Sequence, residues 1–175
     1  MKEDLHDSRK IYAKKSLLEK DIDTNPVHQF QQWFHDAKND DAIEEANAMT
    51  VASVDEEGFP KTRVVLLKYY DEHGFVFYTN YESEKGKALS ANPKTCLNFF
   101  WPSLERQVII KGSAERLSEE RSDAYFISRP KGSQIGAMVS PQSQVISGRE
   151  VLEDRLAELE KEYASKPIER PKHWG

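Results

Sequence analysis

Residues 48–79, AMTVASVDEEGFPKTRVVLLKYYDEHGFVFYT, are rich in apolar side chains that alternate with polar ones, and two turn sequences interrupt them. The turns are Asp55-Glu-Glu-Gly58, followed by Pro60, and Asp71-Glu-His-Gly74. A period of two residues is typical of strands, whereas Asp, Gly and Pro favour turns. The segment therefore predicts an antiparallel meander with strands at 49–54, 61–70 and 75–79.

Further elements are predicted on both sides of this meander. Two more strands are expected at 95–100 and 107–117. Asn25, Ser83 and Ser118 are good N-caps, and Pro26 suits the first position of a helix. Helices are therefore predicted at 26–37, 84–91, 119–128 and 150–164. The predicted fold class is mainly β with α (α+β), a small antiparallel barrel or strongly curved sheet with peripheral helices.

The 175 residues fall in the size range of one domain. Residues 1–24 are charged and lack a clear apolar period, so they are interpreted as an N-terminal arm, and residues 25–175 as the domain. The composition is 38% hydrophobic and 31% charged, with a mean hydropathy of -0.75, which is typical of a chain that folds in water.

Composition also excludes several classes of site. The N-terminus has neither a signal peptide nor a membrane span, so a cytoplasmic location without membrane partners is expected. Cys96 is the only cysteine and the five histidines lack metal-ligand spacing, so no protein-bound metal is predicted. The net charge of -5 and the lack of a nucleic-acid motif argue against nucleic-acid partners.

Arg63-Val-Val-Leu-Leu-Lys68 is an apolar predicted strand with a cation at each end. Because side chains alternate between the faces of a strand, Arg63 and Lys68 are expected on opposite sides, where they serve two different anions. The alternative is that both are strand-end cations that reach water, since Lys and Arg are rarely buried without a partner.

A second group of anion-binding candidates lies near residue 130. Tyr125 and Arg129 are four residues apart on one predicted helix, and the sequence continues to Ser133 in a predicted loop that suits a phosphate. The alternative is a solvated helix end with favourable cations.

Ser83 and Lys85 at a helix start either bind a phosphate or, for Ser83, only cap the helix. Gln107, Gln142 and Ser143 suit the edge of a heterocycle, or are simply exposed. No catalytic triad or carboxylate pair stands out, so a cofactor is expected to supply the chemistry of any reaction.

Several short segments, taken in order, resemble the pyridoxamine 5'-phosphate oxidase family. The resemblance extends from Arg9 and Tyr12 to His173-Trp-Gly175. The segments between are Arg63-Val-Val-Leu-Leu-Lys68, Tyr78-Thr79-Asn80, Ser83-Glu-Lys85, Leu104-Glu-Arg-Gln-Val108, Tyr125 with Ser128-Arg-Pro130, Ser133-Gln-Ile-Gly136 and Gln142-Ser143.

The resemblance implies an FMN-binding split barrel and assigns residues to two ligands, with no side chain assigned to catalysis. The implied FMN-binding set is Arg63, Val64, Val65, Leu66, Leu67, Lys68, Tyr78, Thr79, Lys85, Gln107, Gln142 and Ser143. The implied substrate-binding set is Lys68, Tyr125, Arg129 and Ser133, with Arg9 and Tyr12 of the arm closing over the site.

The implied reaction is oxidation of pyridoxamine or pyridoxine 5'-phosphate to pyridoxal 5'-phosphate, by hydride transfer to the flavin and reduction of oxygen to hydrogen peroxide. The implied assembly is a homodimer with two FMN sites at the subunit interface.

Two departures from the family pattern stand out. Glu84 stands where the family commonly has a cation, beside the expected FMN phosphate. Family members also continue past the Trp-Gly pair into strands with a Trp and an Arg-x-His motif, so the C-terminal part of the family domain is expected to be missing here. The alternative function is therefore a non-catalytic FMN- or pyridoxal-phosphate-binding protein.

Overall fold

The structure is a computed structural model, and it describes residues 3–175. The described residues form six strands and five α-helices, besides a short 3₁₀ turn at Glu19–Asp21. The strands are β1 (Ala48–Val54), β2 (Pro60–Leu66), β3 (Tyr69–Asp71), β4 (Gly74–Val76), β5 (Lys94–Trp101) and β6 (Arg106–Ser113). The helices are α1 (Pro26–Lys38), α2 (Glu84–Ala91), α3 (Glu119–Ser128), α4 (Lys131–Val139) and α5 (Glu150–Glu162).

The sheet has four antiparallel strands in the order β2-β1-β5-β6, and β3 and β4 form a separate antiparallel pair. Residues directly opposite each other in an antiparallel sheet point to the same face. One face carries the row Arg63, Val51, Leu97 and Ile110, and it is the inner face because Val51 and Leu97 are buried. The antiparallel α+β class with peripheral helices is as predicted.

The main core lies between this inner face and α1. Phe30 of α1 is buried and stands 5.0 Å from Phe99 and 4.9 Å from Phe75, measured between ring centroids. The Asn25 side chain accepts hydrogen bonds from the amides of Val27 and His28, as expected of the predicted N-cap, and Pro26 is the first residue of α1. The cap and start of this helix are confirmed.

A second apolar cluster joins α3, α4, α5 and the C-terminal segment. Its buried members are Phe126, Ile135, Leu159, Ile168 and Trp174. The cluster brings the end of the chain against α3, which carries the predicted site residue Tyr125 and is followed directly by Arg129.

The predicted strand at 61–70 is wrong as a single element. β2 ends at Leu66, and the chain then changes partners: the Leu67 amide donates to Asn47 O and the Lys68 amide donates to Val76 O. The change moves the chain from the four-stranded sheet to the β3–β4 pair. The expectation of opposite sides for Arg63 and Lys68 loses its basis, because alternation holds only within one continuous strand.

Other predicted boundaries also differ. The strand predicted at 75–79 ends at Val76, and the one predicted at 107–117 ends at Ser113. The loop predicted after Arg129 is wrong, because α4 begins at Lys131. Its two glycines weaken the helical signal, but burial of Ile135 against the second cluster stabilises the helix.

Within the described part of the arm, residues 3–24, all of residues 3–22 are exposed and Asp23 is half-buried. The arm contacts the turn between β5 and β6, where Glu105 accepts a hydrogen bond from the Lys14 amide at 3.0 Å and lies 3.7 Å from Lys10 Nζ. Met1 and Lys2 of the predicted arm lie outside the described residues.

Candidate functional site

Lys85 lies in the first turn of α2, and its ammonium group is buried among neutral oxygens. Its Nζ donates to Thr79 Oγ1 at 2.5 Å, Gln142 Oε1 at 3.0 Å and Ser83 Oγ at 3.2 Å. Only 9% of Lys85 is exposed. The structure therefore brings together three predicted site residues from three separate segments.

The helix start that carries Lys85 is fixed by local contacts. The Ser83 hydroxyl donates to Asn80 O at 2.7 Å and accepts from the Gly86 amide, so Ser83 is the N-cap. A Cβ on Gly86 would lie 2.3 Å from Tyr81 O, so only glycine permits this close approach. Ser83 thus caps α2, and phosphate binding at this helix start stays a prediction.

Charge at this cluster is not balanced by an acid. Burial, together with the smaller effect of the positive charge of Arg63, lowers the pKa of Lys85 to about 8. The Arg63 guanidinium donates through Nη1 to Ser53 Oγ at 2.7 Å and Lys61 O at 2.8 Å. Among residues 3–175, neither cation forms an ion pair, so the cluster is suited to an anion.

Glu84 is adjacent in sequence but is paired elsewhere. Its carboxylate forms an ion pair with Lys61, which also contacts Asp55 at 3.2 Å. The hydrogen bond to Glu84 is the main reason that the pKa of Lys61 is raised. The negative charge that departs from the family pattern is thus compensated by a neighbouring cation.

Gln107 does not lie with this cluster. In the register, Asn98 of β5 pairs with Ile109 of β6, and both lie in the row that contains Thr50 and Val64. That row lies on the outer face, opposite to the face that carries Arg63. Gln107 is two residues from Ile109 in the same strand, so it lies on the outer face as well. Ser143, which follows Gln142, is exposed and adopts a left-handed backbone with φ of 66°.

Arg129 forms a second cationic feature, against Trp174. Its guanidinium carbon lies 4.4 Å from the centroid of the Trp174 ring, a cation–π distance. Tyr125 stacks on Tyr78 at 4.0 Å, and Tyr78 stacks on Trp174 at 5.6 Å. The Arg129 guanidinium therefore lies on a wall of aromatic rings.

Part of the Arg129 guanidinium lacks a partner. Its Nη1 is buried and makes no hydrogen bond within the described residues, and burial lowers the pKa of Arg129. A buried donor without a partner is costly, so such an atom marks a place for an acceptor. Tyr78 and Thr79, which are consecutive, connect this feature to the Lys85 cluster.

The remaining predicted site residues are less closely associated. Lys68 and Ser133 are exposed, and Arg9 and Tyr12 of the arm are exposed without a hydrogen bond to either cationic feature. Val64, Val65 and Leu66 belong to β2, and Leu67, which is buried, follows it.

Two neighbours of the site were not found from the sequence. Ser53 is a small polar residue within an apolar strand, and its role as acceptor for Arg63 depends on the pairing of β1 with β2. Trp174 is far from Arg129 in sequence, and only the second apolar cluster brings them together. The available signal for Ser53 was its place in the alternating pattern of β1, where a polar residue follows Met49 and Val51 on the apolar face.

A cavity of about 770 Å³ lies beside these features, between β4 and β6. Its lining includes Thr79 and Gly175 but neither Lys85 nor Arg129. Among residues 3–175 there is no cluster of His, Cys, Asp or Glu that suits a metal ion, and no helix is long and apolar enough to cross a membrane.

Comparison with solved structures shows the same fold elsewhere. PhzG from Burkholderia lata, solved with tetrahydrophenazine-1-carboxylic acid, is 25% identical, with a TM-score of 0.82 over 91% of this chain and 78% of that one. An FMN-binding protein of Nostoc punctiforme, described as pyridoxamine 5'-phosphate oxidase-related, is 15% identical, with a TM-score of 0.64 over 87% of this chain and 79% of that one. The predicted fold class is confirmed.

Comparison with known sequences is more specific. The pyridoxine/pyridoxamine 5'-phosphate oxidase of Flavobacterium psychrophilum is 54% identical over 98% of this chain and 80% of its own length. The enzyme of the same name from Trichormus variabilis is 50% identical over 97% of this chain and 78% of its own. The family model described as pyridoxamine 5'-phosphate oxidase matches residues 36–163. The chain therefore belongs to the pyridoxamine 5'-phosphate oxidase family.

Proposed function

We propose that this protein is an FMN-dependent oxidase that converts pyridoxamine or pyridoxine 5'-phosphate to pyridoxal 5'-phosphate. The amine reaction consumes oxygen and water and releases ammonia and hydrogen peroxide, whereas the alcohol reaction consumes oxygen and releases hydrogen peroxide. The reaction rests on membership of the family, and the residues below are assigned to it by their chemistry.

One observation carries the proposal: Lys85 and Arg129, two cations without an acidic partner among residues 3–175, are connected through Tyr78–Thr79, since Lys85 bonds Thr79 and Arg129 lies on Trp174, which stacks on Tyr78. A flavin mononucleotide and a phosphorylated pyridine each bring one phosphate to the same site. Two separated anchors would hold the two ring systems in a fixed relation, which is the main contribution of a protein whose cofactor performs the chemistry.

The donors around Lys85 fit the phosphate of FMN. The set combines the Lys85 ammonium, the nearby Arg63 guanidinium and the Thr79 hydroxyl, and it contains no carboxylate that would repel a phosphate. Gln142 accepts from Lys85 through Oε1, and its Nε2 can donate to the phosphate. FMN, when bound, supplies the acceptor for the hydride and returns the electrons to oxygen.

The Arg129 feature fits the phosphate of the substrate. The unpaired Nη1 offers a donor, and the planar guanidinium is held against Trp174, so little side-chain entropy is lost on binding. Tyr125 lies on the same aromatic wall and offers a hydroxyl. Lys68, Ser133, Arg9 and Tyr12 stay predicted members of this set.

We propose that residues 25–175 act as the FMN-binding domain of a homodimer. Its outer sheet face exposes Val64 on one edge strand and Phe100 and Ile109 on the two strands at the other edge. An apolar face of this kind favours burial against another surface. Gln107 belongs to the same face, so it would reach a flavin site only if a second copy packs there.

The test is a flavin titration followed by an oxidase assay. We expect the purified protein to bind FMN and to release one hydrogen peroxide for each pyridoxal 5'-phosphate formed from pyridoxamine 5'-phosphate. Pyridoxamine without the phosphate is the control and should react far more slowly. Flavin binding without peroxide would instead favour the non-catalytic alternative, and absence of flavin binding would reject the proposal.

We also expect FMN affinity to decrease as the pH rises above about 8. In the ligand-free protein the pKa of Lys85 is about 8, and a bound phosphate raises it because the dianion stabilises the ammonium. Binding then takes up a proton above pH 8, and affinity falls by up to about tenfold per pH unit until the raised pKa is reached.

The pH effect is measured by flavin titration between pH 6.5 and 10. Lys85→Met should bind FMN more weakly but without this dependence, because no ammonium remains to titrate. A dissociation constant that stays constant in the unmodified protein from pH 7 to 9.5 would contradict the assignment.

A further inference from the structure

Arg170 precedes the C-terminal segment, residues 171–175, and holds it by two contacts. Its Nε lies 2.5 Å from Asp123 Oδ1 of α3, and its Nη1 donates to Trp174 O at 2.6 Å. The Arg170 side chain is only 8% exposed, although that of Asp123 is 51% exposed. Arg170 therefore connects α3 directly to the backbone of Trp174.

The end of the segment is attached by backbone hydrogen bonds. The Thr79 amide donates to Gly175 O at 2.7 Å, the Gly175 amide donates to Thr79 O at 3.0 Å, and the Tyr81 amide donates to His173 O at 2.6 Å. These bonds do not involve the Arg170 side chain. The segment should consequently stay attached when that side chain is removed, while losing the polar contact that links the Trp174 backbone to α3.

The orientation of Trp174 matters because Arg129 lies on its ring. The guanidinium stands 4.4 Å from the ring centroid, and Phe126 also packs against the indole, at 5.3 Å between ring centroids. Arg129 follows the last residue of α3, so the helix that bears Asp123 also leads to Arg129. The Asp123–Arg170–Trp174 connection thus helps to fix the position of Trp174 relative to α3 and Arg129.

We propose that Arg170 is a positioning residue for phosphate recognition, acting through Trp174 on Arg129. This inference rests on the proposed function, since it assigns Arg129 to the substrate phosphate. Arginine suits the role because one guanidinium presents donors in several fixed directions, so it bonds a carboxylate and a carbonyl at once. Lysine at this position would keep the charge without the fixed geometry.

The experiment measures binding of 4-deoxypyridoxine 5'-phosphate and of 4-deoxypyridoxine to the FMN-loaded protein. These probes carry a methyl group at the reacting position, so binding is measured without turnover. Phosphate recognition is reported by their affinity ratio, which is the affinity for the phosphorylated probe divided by that for the unphosphorylated probe. We expect Arg170→Ala to lower that ratio by about tenfold, because the charge-assisted hydrogen bond from Arg129 to a phosphate weakens steeply when its donor is displaced. Arg170→Lys should fall between.

A double-variant comparison separates positioning from general stability. If Arg170 acts through Arg129, then Arg170→Ala should have no further effect on the affinity ratio when Arg129 is already Ala. Additive losses in the double variant, or an unchanged ratio in Arg170→Ala, would overturn the proposal. Arg155→Ala is the matched control, because Arg155 forms an exposed ion pair with Glu158 on α5.

A second measurement does not depend on the proposed function. The indole N–H signals of the three tryptophans are recorded by NMR, and that of Trp174 is assigned with Trp174→Phe. Arg170→Ala should shift the Trp174 signal and leave those of Trp33 and Trp101 in place, and an unmoved Trp174 signal would overturn the inference. If the unaltered protein binds both probes equally, the proposed function fails while this measurement still decides the role of Arg170.

If Arg170→Ala does not fold, Asp123→Ala provides the test, because it removes the ion pair and keeps the bond to Trp174 O. We then expect a smaller loss in the affinity ratio and a smaller shift of the same indole signal. No change in either quantity would overturn the proposal.

Discussion

Lys85→Met should weaken FMN binding by about ten- to a hundredfold, because hydrogen bonds to charged groups contribute roughly 1.5–3 kcal/mol. Methionine has a similar length and fits an apolar environment, so the change removes the charge with little change of shape. The lost group is buried beside Arg63 and has no acidic partner among residues 3–175. The measurement is the flavin dissociation constant from fluorescence titration at pH 7.

The matched control is Lys87→Met, which removes a charge from an exposed position on the same helix. It should bind FMN as the unaltered protein does. We further expect the melting temperature of the flavin-free protein to change little in Lys85→Met, because burial disfavours the Lys85 charge in the absence of a ligand. Equal flavin affinity in the two variants would remove Lys85 from the site.

Arg129→Ala should weaken binding of the phosphorylated substrate by about ten- to a hundredfold while FMN stays bound, for the same energetic reason. Its Nη1 has no hydrogen-bond partner among residues 3–175, and its guanidinium is held against Trp174. Arg129 is therefore the cation that we assign to the second phosphate. The measurement compares KM and kcat for pyridoxamine 5'-phosphate with those for pyridoxamine. The loss should appear with the phosphorylated substrate only.

Arg149→Ala is the control for this variant, since Arg149 is exposed and pairs with Glu153 at the start of α5. Arg129→Lys should recover part of the affinity, because it restores the charge without the planar donors. If Arg129→Ala released FMN at an unchanged fold, the division of the site into two phosphate anchors would be wrong.

Short-range features were determined by the sequence. Asn25, Ser83 and Ser118 each accept a backbone amide hydrogen bond at the start of the helix predicted for them. Such caps depend on residues two or three positions away, so the local sequence is sufficient. The strands at β1 and β5 were predicted for the same reason, because alternation is a local property.

The ordered set of short motifs also predicted the family, which the comparisons with relatives confirm. Those motifs did not determine how their residues meet. Gln107 was grouped with Arg63, yet the register places the two on opposite faces of the sheet. A register follows from pairing between strands distant in sequence, and no single strand contains that information.

The tertiary structure alone decided the features that rest on long-range packing. The break after Leu66 depends on a change of partner from Asn47 to Val76, and α4 depends on burial of Ile135. Arg129 meets Trp174, 45 residues away, because the second apolar cluster folds the end of the chain against α3. The sequence by itself determined the family, the caps and most of the strands, whereas packing between distant segments determined which cations are buried without an acidic partner. Burial, and with it the cost of an unpaired donor or charge, is a property of the assembled fold and not of any local sequence.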